Sequence, residues 1–246
     1  MTDQPVGAVP ADEGRQPGRI PSRLRIGVIG HIKLTDSEEL RQGVRQAIEL
    51  AIEASGHRAA ERPDTGITLT VVSALAEGAD RIVTKEVLSR PGSTLLCVLP
   101  VYEKDVDVYR GDFADDQSRA EFDCYYRRAW RRISPPQGAL PPGTSKKARE
   151  AGYLWAGLAV VRNCDVLIAL WDEEGSRGTG GTADLIERLR KRDKGVSDAE
   201  RPEETAGPLR VIVPTKGDHT PWVDGGPGSL NAIMPEQNPA CRVPRA

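Results

Sequence analysis

The sequence predicts an α/β fold: a Rossmann-like, doubly wound, mainly parallel sheet of at least five strands with helices on both faces. Three observations lead there. Short runs rich in Val, Ile and Leu recur along the chain and are almost continuously apolar, as strands covered on both faces must be. Segments with helical spacing alternate with them, which is the order of a parallel sheet. The residues just beyond the strands turn small or polar, at the edge where such sheets bind ligands.

In chain order, residues 1–22 carry Pro, Gly, Asp, Glu and Gln with almost no large apolar group. Such a segment cannot bury enough surface to offset its ordering entropy, so it reads as a disordered leader ahead of a domain over 23–215. Residues 24–29 (LRIGVI) form the first strand, ending at Gly30 and His31. Thr35 and Glu38 have capping-box spacing, and Leu40, Val44, Ile48, Ala51 and Ile52 recur at helical intervals, predicting a helix over 36–55 stopped by Gly56. The second strand, 67–72, runs into SALAEGAD at 73–80 and a helix with Ala79, Ile82, Val83 and Val87 on one side. The third strand, 94–99, stops at Pro100. The segment 102–113 is acidic and aromatic, 117–132 reads as a helix crowded with Arg and Tyr, and 134–143 is a Pro/Gly-rich loop. A helix over 145–163 precedes the most hydrophobic strand, 165–171 (DVLIALW), and another follows over 183–192. Residues 194–207 read as a mobile charged loop and 209–213 as a fifth strand. The Gly/Pro-rich tail, 216–246, holds one residue suited to packing back on the sheet, Trp222, and its last ten residues read as disordered.

Composition narrows the function. With 34 Lys and Arg against 36 Asp and Glu, the net charge is −2, so no global basic field recommends a nucleic-acid partner. Cys97, Cys124, Cys164 and Cys241 have neither disulfide nor zinc spacing, which suggests a reducing compartment, and neither a metal nor a cofactor is expected. No apolar stretch reaches the ~20 residues that span a bilayer and no secretory pattern opens the chain, so the expected location is the cytoplasm.

The chemistry concentrates at RGTGGTAD, 177–184, between the 165–171 strand and the next helix. A Gly-rich turn feeding a helix start presents free N–H groups and the positive end of the helix dipole to an anion. Gly178, Gly180 and Gly181 would let backbone approach a phosphate, with the Thr182 hydroxyl as a further donor and Arg177 as added charge. The alternative is a flexible turn with Thr182 as helix cap. At the other strand ends, Gly30 permits a tight turn or a close ligand, and His31 suits a phosphate or ribose contact as well as a structural hydrogen bond. Ser73 and Gly78 flank a second helix start. Glu77 suits ribose hydroxyls, while Glu77 and Asp80 would also serve the helix dipole. Asp172 suits a sugar or a loop. Trp171 could stack on a base but fits the core equally, Tyr102 and Tyr109 lie in a segment able to close over the site, and Arg127, Arg128, Arg131 and Arg132 form a basic cluster.

GVIGH at 27–31, SALAEGAD at 73–80, LLCVLP at 95–100, NCDVLIALWD at 163–172 and GTGGTAD at 178–184 together resemble the SLOG superfamily. That group includes the LOG nucleotide phosphoribohydrolases and the Rossmann domain of the DNA-processing protein A family. The resemblance spans roughly residues 24–215. It implies a nucleotide or nucleotide-derived ligand, a homodimer or higher homo-oligomer, and a sensing role in bacterial defence or stress signalling with a separate effector protein. The LOG enzymes carry PGG-x-GT-xx-E, whose Glu serves N-glycosidic cleavage. Aligned on Gly181-Thr182, that Glu position is Leu185 here, the leading Pro is Arg177 and the second Gly is Thr179. Sensing therefore ranks first. Nucleoside 5′-monophosphate hydrolysis ranks second and needs a substitute carboxylate, for which the candidates are Glu77, Glu121 and Asp184. A non-catalytic interaction protein ranks third.

Overall fold

The computed structural model describes residues 22–55, 67–175, 180–193 and 207–225. The readings of residues 1–21 as a leader, of 194–206 as a mobile loop and of the last ten residues as disordered fall outside those spans, as do Arg177, Gly178 and Cys241.

Among the described residues seven strands form one sheet: β1 (Ser22–Gly30), β2 (Ile67–Ser73), β3 (Thr94–Val98), β4 (Arg131–Ile133), β5 (Val166–Trp171), β6 (Leu209–Pro214) and β7 (Trp222–Val223). Their order is β4-β3-β2-β1-β5-β6-β7. All neighbours are parallel except β6 and β7. β1 lies at the centre, with Ile26 beside Val71 of β2 and Val166 of β5. The chain winds outward from β1 through β2 to β3 and β4, then returns to β5 on the other flank. The crevice between the ends of β1 and β5 is therefore the topological switch point, where open α/β sheets bind ligands.

Helices cover both faces, as the near-continuous apolar strands require. One face packs Leu24, Ile26, Val71 and Ile168 against α1 (Glu38–Ala54), α2 (Ala79–Leu88) and an aromatic group from α3 (Val106–Arg110) and α4 (Asp116–Arg128). The other packs Ile29, Val72, Leu167 and Ile212 against α5 (Lys146–Arg162) and α6 (Thr182–Asp193). α1 buries Leu40, Val44, Ala47, Ile48, Ala51 and Ile52; its larger aliphatic side chains each contribute roughly 1.5–3 kcal/mol of burial. Its start differs from the Thr35–Glu38 expectation: Ser37 is the cap, accepting from the Leu40 N–H at 3.2 Å, because Ser37 rather than Thr35 has the extended backbone next to the first helical residue.

Two further differences concern short strands. The helix expected to reach Arg132 ends at Arg128. Ala129 turns extended and the Trp130 N–H donates to the Leu95 carbonyl at 3.1 Å, so Arg131–Ile133 join the open edge of β3. Beyond β6, Trp222 packs back, 8 % exposed, in antiparallel β7. Buried Arg210 secures this return, bonding Asp193 of α6 at 2.5 Å and Asp224 at 3.1 Å. Among the described residues no helix is long and apolar enough to cross a membrane.

Candidate functional site

A cleft of about 870 Å³ opens over the switch point. Its size suits a small organic ligand. Of the residues singled out from sequence, Gly30, His31, Asp172, Gly180, Gly181 and Thr182 line it together. These come from the ends of β1 and β5 and the start of α6, which lie far apart in sequence and converge only through the parallel sheet.

His31 and Asp172 form the polar centre. His31 Nε2 lies 2.9 Å from Asp172 Oδ1. A proton on Nε2 serves that carboxylate, so the Asp172 N–H, 3.3 Å from the same nitrogen, has no lone pair to receive it. The His31 backbone is held on both sides, its N–H donating to Leu170 and its carbonyl accepting from Ala79 at 3.0 Å. Asp172 also accepts from the Glu174 N–H at 3.1 Å and faces Lys216 Nζ at 3.5 Å. Burial pushes the Asp172 carboxyl up, but the Glu174 N–H, His31 and Lys216 outweigh it and hold the group below its ordinary value. Lys216, beyond β6, also pairs with Glu174, whose carboxylate and then that of Asp172 hold its ammonium above the usual range.

The Gly-rich turn has a defined job in Gly180. Its φ is +80°, and a Cβ there would lie 2.8 Å from the Leu154 backbone nitrogen; only glycine fits comfortably. The Gly180 N–H donates to Asp184 Oδ2 at 2.9 Å, and Asp184 Oδ1 takes Arg188 at 3.0 Å. Asp184, a candidate catalytic carboxylate, thus braces the turn and does not line the cleft. Leu185 is 3 % exposed and seats against Gly157 of α5.

The 73–80 loop behaves differently. Ser73 is fully buried beneath the cleft, donating to Asp80 Oδ2 at 3.0 Å and accepting from the Leu75 N–H at 2.9 Å. Leu75 itself holds a φ of +60°. Tyr109, 1 % exposed among Phe113 and Phe122, donates to the Ala74 carbonyl at 3.0 Å, which places it in the core. Tyr102 bonds Leu140, and Trp171 is buried with its Nε1 donating to the Glu174 carbonyl. Asp80 does reach the cleft. Burial pushes its carboxyl up to about 6, against the pull of the Ser73 hydroxyl and the Ala76 N–H.

Glu77, Gly78 and Glu121 line a separate cavity of about 350 Å³. Glu77 accepts from the Ala114 N–H at 2.9 Å and from the Ser118 hydroxyl. Burial raises its carboxyl, but those bonds and the Arg81 charge bring it below its ordinary value. Glu121 pairs with Arg81 at 3.1 Å. Both acids thus fasten α4 to the start of α2. Gly30 faces packing more than ligand: a Cβ there would lie 2.3 Å from the Ala79 Cβ.

Sequence reasoning passed over two contributors on α5, Glu150 and Tyr153, and one beyond β6, His219. His219 is fixed by Nδ1 at 2.7 Å from the Pro214 carbonyl and by its backbone against Gly43, where a Cβ would meet the His219 oxygen at 2.5 Å. The signal was present in Gly43, a glycine inside a strongly amphipathic helix. Among the described residues no group of three or more His, Cys, Asp or Glu side chains is placed to hold a metal ion. No protein-family model and no curated protein matches the chain.

Proposed function

We propose that the chain binds a nucleotide or a nucleotide-derived signal in the cleft at the carboxyl edge of the sheet. The supporting observation is convergence: His31, Asp172 and the glycine turn Gly180–Thr182 meet in one cleft of about 870 Å³ at the switch point. The start of α6 offers N–H groups and a positive dipole end to a phosphate. Asp172 and Glu174 offer acceptors for ribose hydroxyls. Leu185 stands where a LOG enzyme carries its Glu, and this favours sensing over cleavage. Bacterial defence or stress signalling and a homo-oligomeric state follow from the SLOG resemblance alone.

Thermal unfolding and calorimetry with AMP, ADP, ATP and ADP-ribose test the reading. At least one ligand is expected to raise the melting temperature and bind with a stoichiometry of one per chain. Failure of all four to do either would overturn it.

Hydrolysis of a nucleoside 5′-monophosphate is the second reading, supported by Asp80. It lines the cleft with its carboxyl pushed up to about 6, which suits an acid–base group. Free base released from AMP, and lost in Asp80→Asn with binding retained, is the expected signature.

A further inference from the structure

Most arginines among the described residues are paired with a carboxylate where they stand. Arg25 meets Asp165, Arg41 meets Asp36, Arg90 meets Glu49 and Arg110 meets Asp123. The segment from the end of α4 into β4, RRAWRR, departs from this. Arg127, Arg128 and Arg131 are exposed, and their guanidinium groups have no hydrogen bond or ion pair among the described residues. Arg132 is exposed too and is held in place, donating to the Tyr126 carbonyl at 2.8 Å with its guanidinium 4.3 Å from the centre of the Tyr126 ring. In their midst Trp130 is 53 % exposed, one of four large hydrophobic side chains left in solvent among the described residues. Among the described residues β4 is the last strand on its side of the sheet and pairs only with β3.

We propose that this edge is a docking surface for an acidic, extended segment of a partner protein. The segment lays its backbone along β4, its carboxylates among the four arginines and the methyl group of an uncharged side chain such as Thr against Trp130. Three features favour a peptide over a nucleic acid. An open strand edge offers a ladder that only a peptide backbone can extend. Trp and Arg are the side chains that concentrate binding energy at protein interfaces. The chain as a whole is slightly acidic, so a long polyanion running past the patch would meet repulsion, whereas a short segment feels the field within a Debye length of about 8 Å. The surface lies at the opposite end of the strand order from β6 and β7, and its occupancy requires nothing of the nucleotide cleft.

The test is fluorescence anisotropy with a labelled peptide of about ten residues alternating Glu and Thr. Comparison ligands are its Lys/Thr counterpart, an oligothymidylate of equal charge, and the Glu/Thr peptide with alternate backbone nitrogens methylated. The proposal expects the acidic peptide to bind most tightly, with affinity falling as salt rises. Arg127→Glu combined with Arg131→Glu should weaken it about tenfold or more. Trp130→Ala should weaken it at least about threefold, and backbone methylation about tenfold. Circular dichroism of each variant keeps folding separate from binding. Absence of binding, or binding indifferent to charge reversal, overturns the proposal. Tighter binding of oligothymidylate assigns the patch to nucleic acid, and insensitivity to methylation removes strand addition; either result also overturns it.

Discussion

The two walls of the cleft are built from the same parts, a strand end running into a helix start, yet they solve different problems. On the β2 side, Ser73, Asp80 and Arg81 are 0 %, 6 % and 6 % exposed and spend their bonds on one another, on the loop backbone and on α4. On the β5 side, the Asp172 side chain is 6 % exposed, but the groups around it reach water: His31 and Lys216, which both face Asp172, have side chains 27 % and 64 % exposed, and Glu174, which pairs with Lys216, is 48 % exposed. This buried network is satisfied except at Arg81 Nη2, which has no hydrogen-bond partner among the described residues, and such a network fixes a shape, since each further member left unpaired would cost its full desolvation. A solvated charge cluster can exchange partners at little cost. The β2 wall therefore supplies rigidity, and the β5 wall is where an incoming ligand finds exchangeable groups.

Breaking the rigid wall should have the largest effect. Gly78 carries φ +72° and ψ −120°, and a Cβ there would lie 2.5 Å from the His31 carbonyl oxygen. Gly78→Ala should lower the unfolding free energy in urea by about 2–4 kcal/mol, and should weaken nucleotide binding because His31 moves with that contact. Asp80 sharpens the same point through pH. Its folded value of about 6 lies above its ordinary 3.8. The stability linked to its proton is therefore complete below 3.8 and disappears as pH rises through 6. That span is worth about 3 kcal/mol. The advantage of Asp80→Asn over wild type in urea melts should grow by about this amount between pH 4 and pH 7.

The rigid wall was also the less legible one. The strands, the amphipathic α1 and the switch-point edge follow from local pattern, because apolar periodicity reports burial directly. Glu77 and Glu121 looked like free carboxylates because what consumes them, Ser118 and Arg81, lies about 40 residues away along the chain. Such pairs are created by packing and leave no mark on spacing. Gly30 looked like room for a ligand for the same reason, its neighbour being Ala79. β4 and β7, of three and two residues, are too short for any alternation and exist only because a neighbouring strand edge is open. On the β5 wall, Asp172 and the glycine turn were visible because their chemistry stands beside the strand in sequence.

The β5 wall yields a smaller effect, read in binding. Asp172→Asn removes the charge that orients His31 and faces Lys216. Affinity by calorimetry for whichever of AMP, ADP, ATP and ADP-ribose binds should fall about tenfold. Asp172 lies below 3.8 in the folded protein, so it stays ionised throughout the neutral range and the loss should be of similar size from pH 6 to pH 8.

Glu121→Gln should have the smallest effect, and it discriminates between the walls most cleanly. Glu121 has a side chain 46 % exposed and meets Arg81, which is 6 % exposed. Arg81 keeps other acceptors when the charge is removed: the Leu75 carbonyl at 3.2 Å, the Ser118 carbonyl at 3.0 Å and the Ser118 hydroxyl at 2.7 Å, with its guanidinium 4.6 Å from the centre of the Phe113 ring. The buried cation is therefore not stranded, and an exposed partner contributes under about 1 kcal/mol. Glu121→Gln should unfold in urea within that margin of wild type and bind the same nucleotide as wild type with unchanged affinity. A loss of affinity for that nucleotide beyond about twofold would put the smaller cavity in contact with the ligand and place functional groups on the rigid wall.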